Sequence, residues 1–191
     1  MDREKIDKQY KWDLSKIYIS LDEYKKDIKL VRENILKFSK FKDGGYDEDS
    51  LYELVALLVD TNRIIDKLQT YTSMLCDEDT SVNRNRELKE EVSNLCSDYI
   101  KATYFVDTNI LKMDYEEISK FYLKNDKLKE FELYFKEMFR YKEHTLSDIE
   151  EKLLADMSKV FGNNYESYEL LKDSDLVFPS FFVKDREYML D

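Results

Sequence analysis

The sequence is poor in the residues that punctuate a chain and in those that bind metals. Its 191 residues include one histidine, two cysteines, three glycines and one proline. So few breakers disfavour an architecture of many short strands and favour long helices. Two cysteines in a chain of this length suit a reducing compartment better than a disulfide framework. No stretch approaches the ~18 apolar residues of a membrane span. The opening MDREKIDKQYKWDLSKIY lacks the apolar core of a signal peptide. Together these absences set the expectation of a cytoplasmic protein.

What is present is charge and apolar periodicity. Hydrophobic residues make up 42% of the chain, enough for a packed core. The formal net charge is -11, from 42 acids and 31 bases. An acidic surface repels phosphate, so neither nucleic acid nor an anionic membrane is an expected partner. The two signs are interspersed, as on solvated helix faces.

Apolar residues recur at helical spacing almost throughout. Tyr24, Ile28, Val31, Ile35 and Phe38 form a first stripe, preceded by a capping box at Ser20 and Glu23. The run KDGG, residues 42–45, ends that unit. Ser50 and Glu53 then read as the cap of a long second helix. Its stripe is Leu51, Leu54, Leu58, Ile65, Leu68, Thr72 and Leu75, with Thr61 in one slot. CDEDTSVN breaks the pattern. A third helix carries Leu88, Val92, Leu95, Tyr99, Ala102, Val106 and Ile110. Two long helices joined by a short loop are expected to pack as an antiparallel hairpin.

Further along, Asp114 and Glu117 cap a short helix, and Leu128, Phe131, Phe135 and Met138 form another stripe. Ser147 and Glu150 open a helix with Leu153, Leu154, Met157 and Val160, which Gly162 is expected to stop. Tyr165 to Lys172 reads as one more short helix. DLVFPSFFV then changes character. Its β-branched and aromatic residues, with a proline that suits an edge strand, predict a strand that KDRE turns back through YML. The expected fold is all-α: an antiparallel helical bundle with a long central hairpin, plus a short C-terminal β-hairpin-like segment. The expected units are residues 1–174 and 175–191. No internal repeat is visible.

None of this assembles a reaction centre. Zincin chemistry needs two histidines one helical turn apart, and His144 is alone. It sits between two predicted helices, where it reads as a joining residue. DEDTSVN lacks the glycine and terminal glutamate of a calcium loop. If the second and third helices reverse near residue 80, Cys76 and Cys96 lie about 18 Å apart by helical rise, too far for a disulfide. Both read as core residues, and so do most aromatics. The acidic pairs Asp77–Asp79, Glu116–Glu117 and Glu150–Glu151 mostly fall near helix starts, where they favour the macrodipole. No catalytic, cofactor-binding or metal-ligating residue is therefore expected in the chain.

Several stretches resemble the oligoendopeptidase F family, zinc metallopeptidases of the thimet oligopeptidase type. RYKEHTLSDIEEKLLADM is similar to a family segment through Arg140, His144, Leu146, Ser147, Glu150 or Glu151, and Leu153-Leu154-Ala155. KWDLSKIYIS resembles its opening through Trp12, Asp13, Leu14 and Tyr18. KLQTYTSMLCDEDTSVN resembles its hairpin segment through Lys67, Leu68, Tyr71, Asp79 and Thr80. DLVFP resembles the stretch leading into the catalytic lobe. The family's His-Glu-x-x-His signature does not occur, so the resemblance is to the N-terminal helical lobe only. It implies a longer parent that binds zinc and cleaves oligopeptides, with this region as one wall of the substrate cleft and the C-terminal catalytic lobe as its partner. By itself the chain is expected to be inactive, and to self-associate through surface that the other lobe covers. A free-standing helical adaptor is the alternative; a carboxylate-metal enzyme has no support in the residues.

Overall fold

The computed structural model describes residues 7–79, 82–172, 176 and 179–188. Helix α1 spans Leu21–Lys37 and starts at the expected cap. The Glu23 N–H donates to Ser20 Oγ (3.4 Å), while the Glu23 carboxylate accepts from the Ile19 N–H (3.1 Å), one residue ahead of the position a capping box uses. Tyr24, Ile28 and Val31 are buried, and the stripe continues into Phe38 on a 3-10 turn, Phe38–Phe41. Gly44 and Gly45 both take positive φ, +71° and +72°, where a side chain would be strained. The Asn109 amide closes this loop by donating to the Lys42 carbonyl (2.9 Å).

Helix α2, Glu48–Glu78, begins earlier than the Ser50 cap predicts. Asp47 is the cap: its carboxylate accepts the Ser50 N–H (2.9 Å), and Ser50 Oγ accepts the Asp47 N–H (3.0 Å). A carboxylate at the helix start also meets the positive end of the dipole, so it outcompetes a hydroxyl three residues later. Helix α3 follows at Asn83–Thr103, and α4 at Phe105–Leu111. The expected single helix is thus interrupted at Tyr104. That residue keeps helical dihedrals (φ -50°, ψ -30°), so the break bends the path without a loop. Just before it, the Thr103 hydroxyl donates to the Tyr99 carbonyl (2.9 Å), a back-bond known to bend helices.

Helices α2 and α3 form the expected antiparallel hairpin, tied near its turn by Asn85 Nδ2 donating to the Leu75 carbonyl (2.9 Å). Around this seam Leu51, Leu54, Leu58, Ile65 and Leu68 of α2 and Leu88, Val92, Leu95 and Tyr99 of α3 are buried in one core. Helix α1 lies across both. Tyr18, Tyr24 and Tyr71 meet in a ring cluster with centroids 5.0–5.9 Å apart.

Helix α5 spans Tyr115–Lys124. Asp114 occupies its cap position without a side-chain hydrogen bond, so the predicted motif marks the start but does not act. A 3-10 segment, Asp126–Phe131, leads to α6, Glu132–Arg140. Helix α5 and the 3-10 segment pack on α2, and α6 packs on α4 and the 3-10 segment; Ile118, Phe121, Leu128 and Phe135 carry these elements into the common core. Helix α7, Asp148–Leu170, has the predicted capping box between Ser147 and Glu150. It runs through Gly162 rather than stopping there. One glycine costs only about 1 kcal/mol in a helix interior, too little to break a long one.

The end of the described chain is an antiparallel hairpin, β1 (Phe181–Val183) and β2 (Arg186–Tyr188). Lys184 and Asp185 both take positive φ, as a tight two-residue hairpin turn requires. Pro179 precedes the strand. The earlier part of the predicted strand falls partly on residues 175, 177 and 178, outside those described.

The core contains one polar clasp. Asn34, buried on α1, donates through Nδ2 to Thr61 Oγ1 on α2 (3.1 Å), and Thr61 donates to the Leu57 carbonyl (2.6 Å). Thr61→Val strands the Asn34 amide and is expected to cost about 1–3 kcal/mol. Adding Asn34→Leu should recover much of that loss, because neither polar partner is then left alone. Urea denaturation of both variants measures it.

Candidate functional site

The residues that sequence reasoning singled out for chemistry do not converge. His144 closes a short 3-10 turn, Lys142–His144, with its N–H on the Tyr141 carbonyl (2.9 Å) and its ring beside Tyr141. It is exposed and joins α6 to α7, the structural role expected of it. Among the described residues, no group of three or more His, Cys, Asp or Glu side chains is placed to hold a metal ion. Glu150 is occupied by the α7 cap, and hydrogen bonds from Ser147 hold its carboxyl below the usual range. Both cysteines are free, Cys76 buried and Cys96 partly so. Burial pushes the Cys96 thiol up to about 11, the opposite of an activated nucleophile.

Three of the residues that carry the family resemblance, Asp13, Tyr18 and Lys67, serve the fold. Asp13 accepts the Ser15 N–H and starts the turn Leu14–Lys16. Tyr18 donates to Asp27 Oδ2 (2.7 Å), and Lys67 reaches the same oxygen (3.0 Å) while sitting 3.9 Å from the Tyr18 ring centre. Burial, followed by the bond to Asp27, raises the Tyr18 hydroxyl well above its ordinary value. This ties the segment before α1 to α2. Thr80 lies outside the described residues.

A concave surface of about 340 Å³ opens between α1 and α3, lined by Arg32, Glu87, Glu90, Glu91, Asn94 and Asp98. Its acids are partly compensated: Arg32 pairs with Glu91 (3.2 Å), and Lys159 approaches Glu90 (3.9 Å).

The feature with no counterpart elsewhere in the bundle is the outer face of α7. Ile149, Leu153, Met157, Val160, Phe161, Tyr165 and Tyr168 recur at spacings of three and four, and all are exposed, from 37% at Met157 to 81% at Ile149. The opposite side of the helix meets α3 and α4 with small and polar residues. Ala155 is buried there, Lys159 donates to Asn94 Oδ1 (2.6 Å), and Asp148 accepts from Lys112 (2.7 Å). Ser158 Oγ is buried without a hydrogen-bond partner. An ordinary amphipathic helix does the reverse, turning its apolar stripe to the core. The predicted stripe Leu153, Leu154, Met157 and Val160 is therefore surface. The signal was present in the sequence as an excess of apolar positions over what one buried face needs. The β-hairpin adds exposed Phe181, Phe182, Val183 and Tyr188.

Comparison with known proteins places this helix within a matched region. The family model described as oligopeptidase F matches residues 109–178, from the end of α4 through all of α7. The group B oligopeptidase PepB of Streptococcus agalactiae is 28% identical over 178 residues, 93% of this chain and 30% of that protein. Oligopeptidase PepF of Bacillus subtilis is 29% identical over 187 residues, 97% of this chain and 28% of its own length. The chain is related to the oligoendopeptidase F family. It spans about a third of the length of these relatives and matches their N-terminal part. The crystal structure of oligoendopeptidase-F from Enterococcus faecium has the same fold over 89% of this chain and 33% of that one, with a TM-score of 0.77 at 20% identity. Among the described residues, no helix is long and apolar enough to cross a membrane.

Two measurements check this description. Leu54→Ala, in the seam, is expected to cost about 2–5 kcal/mol, whereas Leu153→Ala on the outer face of α7 should stay within about 0.5 kcal/mol. Chemical denaturation separates the two. Alkylation of Cys96 by iodoacetamide should be slow at neutral pH and rise about tenfold per pH unit up to roughly pH 10, because only the thiolate reacts. Mass spectrometry of the labelled peptide follows it.

Proposed function

We propose that this chain is the N-terminal, non-catalytic lobe of a zinc metalloendopeptidase that hydrolyses oligopeptides, and that it forms one wall of the substrate cleft. The observation that carries the reading is the alignment: it runs along nearly all of this chain and only about a third of each oligopeptidase. Residues 1–174 would be the helical lobe, and 175–191 the start of a β segment leading into the catalytic lobe. The working compartment would be the cytoplasm.

The residues described here do not fit a zinc centre, since a single exposed histidine and scattered carboxylates offer no converging ligand set. No step of peptide hydrolysis is assigned to them. Their contribution would be geometric: a rigid helical wall restricts which substrates reach the chemistry and keeps bulk water out.

The test is an assay of two polypeptides. The 191-residue chain with added zinc should neither retain the metal through gel filtration nor cleave a fluorogenic oligopeptide. The product of the full reading frame that contains it should cleave that peptide and lose the activity to a chelator. Zinc-dependent cleavage by the short chain, or a reading frame that stops after codon 191, overturns the proposal; the second result favours a free-standing adaptor.

A further inference from the structure

We infer that the outward apolar face of α7, continued by the β-hairpin, is the docking surface for the polypeptide that follows this region in the longer oligopeptidases. This rests on the lobe reading above and names the surface through which the two parts meet. Three observations lead to it.

First, α7 is attached to its own bundle by its polar side. Among the described residues it meets the bundle through buried Ala155 and through the exposed Lys159–Asn94 bond and Lys112–Asp148 pair, while Leu153, Val160 and Phe161 stay 58–59% exposed. A helix of 23 residues that gives water its apolar stripe and its own core its polar one forgoes most of its burial energy. That arrangement is stable as part of a larger body, where a second surface covers the stripe.

Second, the β-hairpin repeats the pattern. All six of its strand residues are exposed, and Phe181 stacks on Tyr188 with ring centroids 5.7 Å apart. A two-stranded hairpin is marginal alone and needs a further strand or a packed face.

Third, the length of the relatives supplies an occupant. About 70% of each aligned oligopeptidase lies outside the matched region, and α7 and the hairpin are the last elements of the match. The occupant is therefore the following polypeptide of the same protein, not an unrelated partner. A mainly apolar interface also suits a net charge of -11, since it asks for no complementary basic surface.

The experiment produces the 191-residue chain and, as a separate chain, the polypeptide encoded by the rest of its reading frame. Association is measured by sedimentation velocity and titration calorimetry, and zinc-dependent cleavage of a fluorogenic oligopeptide is measured on the mixture. Leu153→Asp and Val160→Asp should each weaken association about 100-fold, since an unpaired carboxylate is then buried in the interface. Leu123→Asp and Leu36→Asp, exposed on α5 and α1, should leave it unchanged, and circular dichroism confirms that all four fold. If the mixture cleaves peptide but the α7 variants associate as well as the parent chain, the docking surface is wrong and the lobe reading stands. If the two chains associate through α7 without peptidase activity, the docking surface holds and the lobe reading fails. Self-association of the 191-residue chain that competes with the second chain and vanishes in Leu153→Asp supports the docking surface. Self-association that is indifferent to Leu153→Asp and blocks the second chain overturns it.

Discussion

The α2–α3 seam is the constraint on which the remaining structure depends. Two helices of 31 and 21 residues, joined by only a few residues, have no choice but to lie antiparallel and adjacent. Their facing stripes then bury each other's leucines and valines. Every fully buried side chain of this kind contributes up to about 1.5–3 kcal/mol, an upper figure because unfolded chains bury some of it already. The polar positions in the seam are handled locally. Thr61 and Thr72 each donate to the carbonyl four residues back, at 2.6 and 3.0 Å, so neither leaves a donor stranded. Helix α1 packs across both members of the hairpin, α5 and the 3-10 segment pack against α2, and α7 rests on α3.

That order of dependence makes α7 different from the other helices. Helices α1, α5 and α6 are held by aromatic and aliphatic side chains that reach the common core: Tyr24, Val31, Ile118, Phe121 and Phe135. Among its described residues, helix α7 buries Ala155 and otherwise relies on surface polar contacts. Exposed ion pairs such as Lys112–Asp148 contribute little, roughly 0–1 kcal/mol. The bundle up to Arg140 therefore owes little of its stability to α7, while α7 has most of its apolar surface still uncommitted.

How far the sequence revealed this follows from what periodicity measures. The spacing of Leu51, Leu54, Leu58, Ile65 and Leu68 located α2 and its buried face, because a stripe that long admits one arrangement. The ends were less legible. Ser50 looked like the cap of α2, yet the helix starts three residues earlier, where Asp47 accepts the Ser50 N–H and Ser50 becomes the second half of the capping box. Gly162 looked like a stop because glycine often is one, but a single glycine costs too little to end a helix of this length. Tyr104 gave no warning, since a bend that keeps helical dihedrals leaves the apolar spacing intact. For α7, periodicity located the helix but said nothing of its environment. A stripe shows that a face is apolar; it does not show which neighbour covers it.

That last distinction separates an inert helical bundle from a part of something larger. In a self-sufficient domain the apolar stripes and the available core match, so each amphipathic helix spends its stripe on its own neighbours. Here the match holds from α1 to α6 and fails at α7 and the hairpin, the two elements at one end of the alignment with much longer oligopeptidases. Such a mismatch carries solubility and self-association costs when exposed, which makes it a poor surface to leave uncovered. The net charge of -11 is compatible with such a face, since apolar contact asks for no complementary basic surface.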